Sequence, residues 1–439
     1  MKKLYRFSAI ALLVLPLIFT SCSDYLDRDD DDNITEADVF ARYEKVNGLV
    51  SDVYAAAKKA DRPLVFFEHF SNSAITDECE GTNVEGNITN NFNNGAWNPN
   101  SLPGSVGQYW EALYEGIRKA NLIIENVQKY NTPDNPQQDG DLRNRIGEMY
   151  FMRGYFHMLL LRMYGEAPYI DRVINAGDNM DIKKESVHSM VEKIVTDAQS
   201  AYGMVPNNYV KTSENFGRVD KGACLGLISF VRWVAATPLW NGASQYGYNL
   251  RRVFENEYAY DATRWRKAKE AAKAVLDFEV GGTKRYSLYT KHDANDFKDP
   301  ADGNLNDSRV YARLWDMFYD MDAFANEYVF FMTKSKDQAW QGDIYPPSRE
   351  GSSRQQPVQE QVDEYEYIVG DYGYPVYSAE ARKGGYDDAN PYVKGTRDPR
   401  FYRDIIYHGA PYRNNNNESK IINTASGSDK IGATNATTT

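Results

Sequence analysis

Cysteine is scarce in this sequence, with only Cys22, Cys79 and Cys224 among 439 residues. Three so widely spaced support neither a disulfide framework nor a cysteine-based metal cluster. Cys79 falls in a polar loop and Cys224 in an apolar helix, so both read as free thiols, Cys224 within the core. Histidine is nearly as sparse. His69, His157, His188, His292 and His408 show no HExxH or other paired-ligand spacing. Also missing are a Gly-x-Ser-x-Gly elbow, a phosphate loop and a Gly-x-Gly-x-x-Gly turn after a strand. No catalytic residue, metal site or cofactor is therefore expected. Bases are outnumbered by acids, 50 to 62, for a formal charge of −12. That balance argues against a nucleic-acid partner, which needs clustered Lys and Arg, and equally against docking on anionic lipid. With 62 acids some pair could always be named a glycosidase dyad, so abundance alone has no force. The acidic stretch Asp293–Asp307 lacks the spacing of a calcium loop, and a solvated loop is its plainer reading.

Long apolar runs are missing too, with one exception at the N-terminus. Lys2, Lys3 and Arg6 precede an apolar stretch from Phe7 to Phe19. It is shorter than the ~20 residues a helix needs to cross a bilayer, and so reads as a signal peptide over residues 1–21. Thr20-Ser21-Cys22 then resembles a bacterial lipobox, although Phe19 stands where leucine is usual. The expectation is lipidation at Cys22, an anchor and not a membrane span. Asp24, Asp27 and Asp29 to Asp32 follow, too polar to pack, so 22–35 reads as a lipidated acidic tether. An address to the cell surface is the alternative reading of the same residues.

What is present in quantity is helical periodicity. Over 105–130, Trp110, Leu113, Tyr114, Ile117, Ala120, Ile124 and Val127 recur at spacings of three and four. Residues 139–164 are apolar nearly all round, which predicts a helix sandwiched between others. Gly165 ends it and Pro168 prevents its resumption. Further helices are predicted at 36–60, 185–204, 219–236 and 262–278, with Asp220 and Asp261 as N-caps. Helices paired by short or moderate connections suggest stacked hairpins of the tetratricopeptide kind. No strict 34-residue period appears, so the fold class is mainly α, a degenerate, insertion-rich helical repeat. Residues 36–413 form this domain, and 414–439, without apolar period, read as a disordered tail.

Between the helices lie polar segments rich in aromatic, Asn and Gly residues, at 71–104, 239–260 and 281–395. Segments this long are usually functional or carry structure of their own. The alternating Tyr and Gly of the last is compatible with short hairpins. The chain holds 33 Tyr and 7 Trp, many of them in these segments. A flat ring with a polar tip suits the apolar CH face and hydroxyl rim of a sugar. Trp97, with Phe92 and Asn98, is the first candidate for such a platform, and the alternative is a ring that pins its own loop. Trp340 is similar. Trp315 and Tyr319 stand at i and i+4, so core packing competes with ligand contact there. Asp77 and Glu78 could accept hydroxyl hydrogen bonds or simply be solvated. Trp110, Tyr114, Trp233 and Trp265 lie on apolar helical faces and are expected in the core, and Trp240 is expected to pack. Arg153, in a nearly all-apolar helix, is expected to form a structural ion pair.

Five segments, in order, resemble the SusD/RagB family of outer-membrane nutrient-binding lipoproteins. They are Ser23-Asp24-Tyr25-Leu26-Asp27 after the lipobox, and Trp110-Glu111-Ala112-Leu113-Tyr114 running to Ala120-Asn121. Next comes Glu148-Met149-Tyr150-Phe151-Met152-Arg153-Gly154-Tyr155-Phe156 with Tyr164-Gly165-Glu166-Ala167-Pro168. Thr237-Pro238-Leu239-Trp240-Asn241-Gly242 with Trp265-Arg266-Lys267-Ala268 follows, and then Arg397-Asp398-Pro399-Arg400. Each motif alone is weak. In the family a further long helix follows the last motif, whereas here the chain turns to low-complexity sequence, which implies a shortened C-terminal part.

The resemblance implies a non-catalytic protein, lipid-anchored in the outer membrane and facing the cell exterior. It would sit as a lid on a SusC-like TonB-dependent transporter and capture glycan, or in some members peptide, for import. The helical repeat would face the transporter and the aromatic loops the ligand. Trp97 matches the family's binding loop by region only. Readings from other classes are a surface glycosidase and a purely structural repeat.

Overall fold

The computed structural model describes residues 35–60, 72–81, 88–96, 98, 100, 104–130, 136–208, 215–243, 254–290, 317, 327–332, 342–346, 351–393, 395–413 and 419–423. The signal peptide, Cys22, nearly all of the tether, Trp97, Trp315, Tyr319, Trp340, the Asp293–Asp307 stretch and residues 424–439 lie outside them.

The helix expected over 36–60 is two helices, α1 (Glu36–Phe40) and α2 (Tyr43–Ala60). Thr35 starts α1 with a capping box, its hydroxyl accepting the Asp38 amide while the Asp38 carboxylate accepts the Thr35 amide. The break has a packing reason. Phe40 and Val46 are both buried in one core, yet six residues along a straight helix turn through about 240°. One unbroken helix could not aim both inward.

The two longest helices are α4 (Gly104–Tyr130) and α5 (Pro136–Tyr164), preceded by the short α3 (Ile88–Asn93). The predicted stripe of α4 is its buried face, through Leu113, Ile117, Ala120, Ile124 and Val127. α5 buries residues on every side, among them Met149, Phe151, Met152, Phe156, Leu159 and Leu160. It can do so because α2, α4 and α6 (Val187–Tyr202) all pack around it. Each such side chain contributes about 1.5–3 kcal/mol of transfer free energy, so α5 is the spine of the molecule. It closes at Gly165, whose φ of +70° glycine adopts without strain and whose bare Cα admits the Trp240 ring.

After α6, helix α7 (Lys221–Ala236) and helix α8 (Ala262–Leu276) each pack on the helix before. Asp220 and Asp261 cap them as expected, accepting the amides of Ala223 at 3.0 Å and Thr263 at 2.8 Å. The result is a succession of adjacent helices of the tetratricopeptide kind. Two core expectations fail here. Trp233 is 51 % exposed and Trp265 42 % exposed. The inner face of α7 is taken by Ala223, Cys224, Leu227, Val231 and Ala235, and Trp233, two residues past Val231, lies about 200° away. Among the described residues α8 packs mainly on α7, and Ala268 is its fully buried side chain.

The rest of the described residues form short strands, short helices and turns. β1 (Ile75–Thr76), β2 (Cys79–Gly81) and β5 (Gln355–Pro357) form an antiparallel sheet in the order β1-β2-β5. β3 (Glu279–Val280) and β4 (Thr283–Lys284) form a hairpin turned by Gly281 and Gly282, both at positive φ, as a two-residue I′ turn requires. The hairpins expected in 281–395 include β6 (Tyr367–Val369) with β7 (Tyr372–Tyr374). Short helices α9 (Gln359–Asp363), α10 (Ala379–Lys383) and α11 (Pro399–Asp404) surround that hairpin, and β8 (Pro411–Arg413) pairs with β9 (Ser419–Ile421). Cys79 departs from its expected polar loop, since it is buried in β2, and both Cys79 and Cys224 are free thiols.

Candidate ligand-binding site

The sheet β1-β2-β5 decides where the polar segments meet. Its register sets Cys79 opposite Pro357, Glu80 opposite Gln356 and Gly81 opposite Gln355. The Val358 amide adds a bond to the Glu78 carbonyl at 3.1 Å. Two segments far apart in the chain, 71–104 and 281–395, are therefore joined backbone to backbone.

On the first segment, Asp77 and Glu78 form the turn between β1 and β2, both exposed. The Thr76 hydroxyl donates to the Ser73 carbonyl and accepts the Glu78 amide, which holds the turn. α3 follows and is tied back, the Asn93 side chain donating to the Ala74 carbonyl at 3.0 Å. The Phe92 ring is half-buried against a small cluster of Ala74, Cys79 and Val106. Gly95 and Ala96 close the helix with amide bonds to the carbonyls of Phe92 and Asn91. Asn98 is exposed, and its side-chain oxygen accepts the Asn100 amide at 2.9 Å.

On the second segment, residues 351–354 bond back onto residues 342–346. The amides of Ser352, Ser353 and Arg354 bond the carbonyls of Gly342, Tyr345 and Asp343, and Arg354 pairs with the Asp343 carboxylate at 3.0 Å. This knot leads directly into β5 and so onto β2. Of the seven sequence-predicted contact residues, Asp77 lies in the β1–β2 turn and Phe92 packs against Cys79 of β2, while residues 351–354 run into β5 and so onto the same sheet.

An aromatic joint sets the region on the scaffold. Tyr164, at the end of α5, packs edge-on against Trp110 with centroids 4.9 Å apart and donates to the Val106 carbonyl at 2.6 Å. Tyr114 donates to the Pro168 carbonyl at 2.8 Å. The start of α4, where the first segment ends, is thereby fixed to the end of α5. Burial holds both phenols well above their usual range, so they act as neutral donors.

The other motifs serve structure in the same way. Arg153 meets its expected ion partner in Asp197, with Nε donating to Oδ2 at 2.8 Å and Nη2 to Oδ1 at 2.5 Å. Its Nη1 donates to Asn121 and the Asp171 carbonyl, and the Tyr169 hydroxyl donates to Asp197 at 2.6 Å. Asn121 in turn donates to the carbonyls of Ile170 and Arg172, so the whole turn after α5 is stitched down. His157 stacks on Tyr169 at 3.8 Å, donates from Nδ1 to the Arg153 carbonyl and accepts the Ile170 amide at Nε2. Burial pulls its pKa down to about 3, so the ring is neutral. Trp240 packs on Tyr258, while Asn241 accepts from the Asp261 amide and Arg264. Arg397 is 2 % exposed and bonds the carbonyls of Tyr365, Val362 and Pro391 while lying over Phe401. Asp398 beside it caps α11, whose first residue is Pro399.

None of these groups is poised for chemistry. Burial pushes the Cys79 thiol up to about 11 and raises Cys224 further above its ordinary value, which removes the reactive thiolate at both. Among the described residues no group of three His, Cys, Asp or Glu is placed to hold a metal ion, and no helix is long and apolar enough to cross a membrane.

Comparison with known proteins agrees with this architecture. Residues 24–231 match a SusD-like family model described as starch-binding associating with outer membrane. A SusD-like protein P2 of Formosa agariphila is 25 % identical over 202 residues, 45 % of this chain and 38 % of the relative. Two solved Bacteroides fragilis structures share the fold. One, a SusD-like protein, has a TM-score of 0.60 at 18 % identity, covering 88 % of this chain and 64 % of its own. The other, a SusD-like carbohydrate binding protein, has a TM-score of 0.61 at 13 % identity, covering 89 % and 64 %. The chain thus spans less than two thirds of the length of these relatives. It is similar to SusD-like proteins in sequence across residues 24–231 and shares the fold of the two solved structures.

Proposed function

We propose that this protein is a non-catalytic cell-surface lipoprotein that captures glycan and passes it to a SusC-like TonB-dependent transporter of the outer membrane. In this reading residues 1–21 are removed as a signal peptide, Cys22 takes the lipid, and 22–35 space the body from the membrane. The observation that carries it is the β2–β5 pairing, which ties two long aromatic- and amide-rich segments together at one place on a rigid helical scaffold. A site for a sugar needs ring platforms flanked by hydrogen-bonding groups, held by a frame that does not move. Trp97 and Trp340 are the proposed platforms, with Trp315 and Tyr319 as secondary ones. Asn98 and Asp77 supply polar contacts, and Phe92 steadies the loop.

The test is electrophoresis of a soluble form beginning at Ser23 through native gels containing plant, host or microbial polysaccharides. Retardation by one class, lost in Trp97→Ala and in Trp340→Ala, supports the reading and names the cargo. Binding to mixed peptides with no polysaccharide retardation would replace glycan by peptide. Release of reducing ends by the purified protein would make it a glycosidase instead.

A further inference from the structure

From Gly351 to Val393 the described residues run without a break, and they carry a tyrosine cluster apart from the platforms proposed above. The Val358 amide bonds the Glu78 carbonyl, and α9 begins at the next residue. Over its five residues α9 rises about 7.5 Å and ends at Asp363. There the Tyr377 hydroxyl donates to Oδ2 of Asp363 at 2.8 Å. Tyr377 is thus one short helix away from the β2–β5 pairing that joins the two loop segments.

Tyr377 is 57 % exposed, yet its ring is fixed. Its backbone lies between the buried Val376 and Ser378, which caps α10 and donates its amide to the Pro375 carbonyl at 2.9 Å. The ring stands edge-on to Tyr386, with centroids 6.2 Å apart and planes at 89°, and Tyr386 stands edge-on to Tyr367. Asp363 is itself steadied, its Oδ1 accepting the Gln359 side-chain amide at 2.7 Å. The Asp363 bond pushes the Tyr377 phenol up to about 12, and the nearby charge of Asp388 contributes, so the hydroxyl stays a neutral donor. A tether needs only that hydroxyl. The open face is what a stacking ligand would use, and its order is established before any ligand arrives.

The rim supplies polar partners. Asp388, two residues past Tyr386, receives Nη1 and Nη2 of Arg382, both on Oδ2 at 3.1 Å. Its Oδ1 takes neither bond, and both side chains are about half exposed. A carboxylate oxygen next to a guanidinium sets an acceptor beside donors, the pattern that neighbouring hydroxyls of a sugar complete. Charge narrows the class further. Residues 355–381 hold the acids Glu360, Asp363, Glu364, Glu366, Asp371 and Glu380 and no Lys or Arg, and Arg382 is already bonded to Asp388. A uronate or sulfate would meet like charge here, and an uncharged sugar would not. We propose, resting on the glycan-capture reading above, that the open face of Tyr377 with Asp388 and Arg382 at its rim is a further contact for a neutral glycan chain, continuous with the site at the β1-β2-β5 sheet.

The test uses the soluble chain from Ser23 in native gels containing neutral or anionic polysaccharides, with mobility read against polymer concentration to give an affinity. A neutral polymer should retard the parent. Tyr377→Ala and Asp388→Ala should each weaken that retardation about fivefold or more. Tyr377→Phe, which loses the hydroxyl and keeps the flat face, should bind like the parent. Asp388→Ala breaks only an exposed ion pair of little worth to stability, so it should melt like the parent and read binding even where Tyr377→Ala melts early. Parent-like affinity in either alanine variant, or a loss in Tyr377→Phe equal to that in Tyr377→Ala, would overturn the inference and leave glycan capture standing. Retardation by anionic polysaccharides alone would do the same. No retardation by any polysaccharide would overturn both readings together.

Discussion

Asp197→Ala tests the polar clamp at the centre of the helical scaffold. Side-chain exposures of 8 % for Arg153 and 5 % for Asp197 place both charges out of water. The substitution removes both acceptors of the bidentate pair and the acceptor of the Tyr169 hydroxyl. Arg153 keeps the Asn121 oxygen, the Asp171 carbonyl and the face of the Tyr150 ring, none of them an anion to compensate a buried cation. Breaking a buried pair from one side costs about 3–5 kcal/mol, because the remaining charge stays desolvated and unpaired. For a body of roughly 380 residues that is a fall of about 4–6 °C in melting temperature, measured by circular dichroism at 222 nm. The companion is Arg153→Met with Asp197→Leu, which removes both charges and fills the space. It should melt above Asp197→Ala by at least about 2 kcal/mol, since a buried ion pair and its apolar replacement are often nearly equal in stability. If the single variant melts at or above the double, the pair is not the clamp its geometry describes, and the reasoning is refuted.

Acidification should destabilise the protein ahead of its carboxylates. Burial lowers His157 to about 3 and His188 to about 4, both below the 6.5 of the unfolded chain. The unfolded state therefore binds more protons in that interval, and stability is complete above pH 6.5 and falls below it, by up to about 1.4 kcal/mol per pH unit for each ring. Urea midpoints between pH 7 and 5 should decline, and less so in His188→Gln. Gly116→Ala should cost about 1–3 kcal/mol, because the added methyl would stand 2.5 Å from the fully buried Phe156 ring, and a Phe156→Leu partner should restore much of it. Trp97→Ala and Trp340→Ala should each weaken polysaccharide retardation at least about tenfold with unchanged melting, whereas Phe92→Ala should lower both affinity and melting temperature.

The helices, their caps and their ends were legible in the residues because they depend on neighbours three and four positions away. The apolar face of α4, the sandwiched α5, the Gly165 stop and the Asp220 and Asp261 caps all follow from local geometry. The family motifs were legible for the same reason, and several of their side chains prove to be clamps: Tyr164 on Trp110, Arg153 on Asp197, Arg397 on three carbonyls. They mark the scaffold and carry no information about the ligand. An arginine in an apolar helix announces that a partner exists, but Asp197 is 44 positions away and nothing local names it.

Tertiary structure alone decided the rest. Trp233 and Trp265 have core-like spacing, yet both are exposed, and among the described residues α8 packs mainly on α7; whether a stripe is covered depends on what stands next to it. The kink between α1 and α2 arose because two buried residues had to face one core. The pairing of β2 with β5 spans some 275 positions, and strands of three residues carry too little pattern to choose a partner in advance. Helical period is a property of the chain with itself. Burial and strand pairing are properties of the chain with distant parts of itself, and so appear only once it has folded.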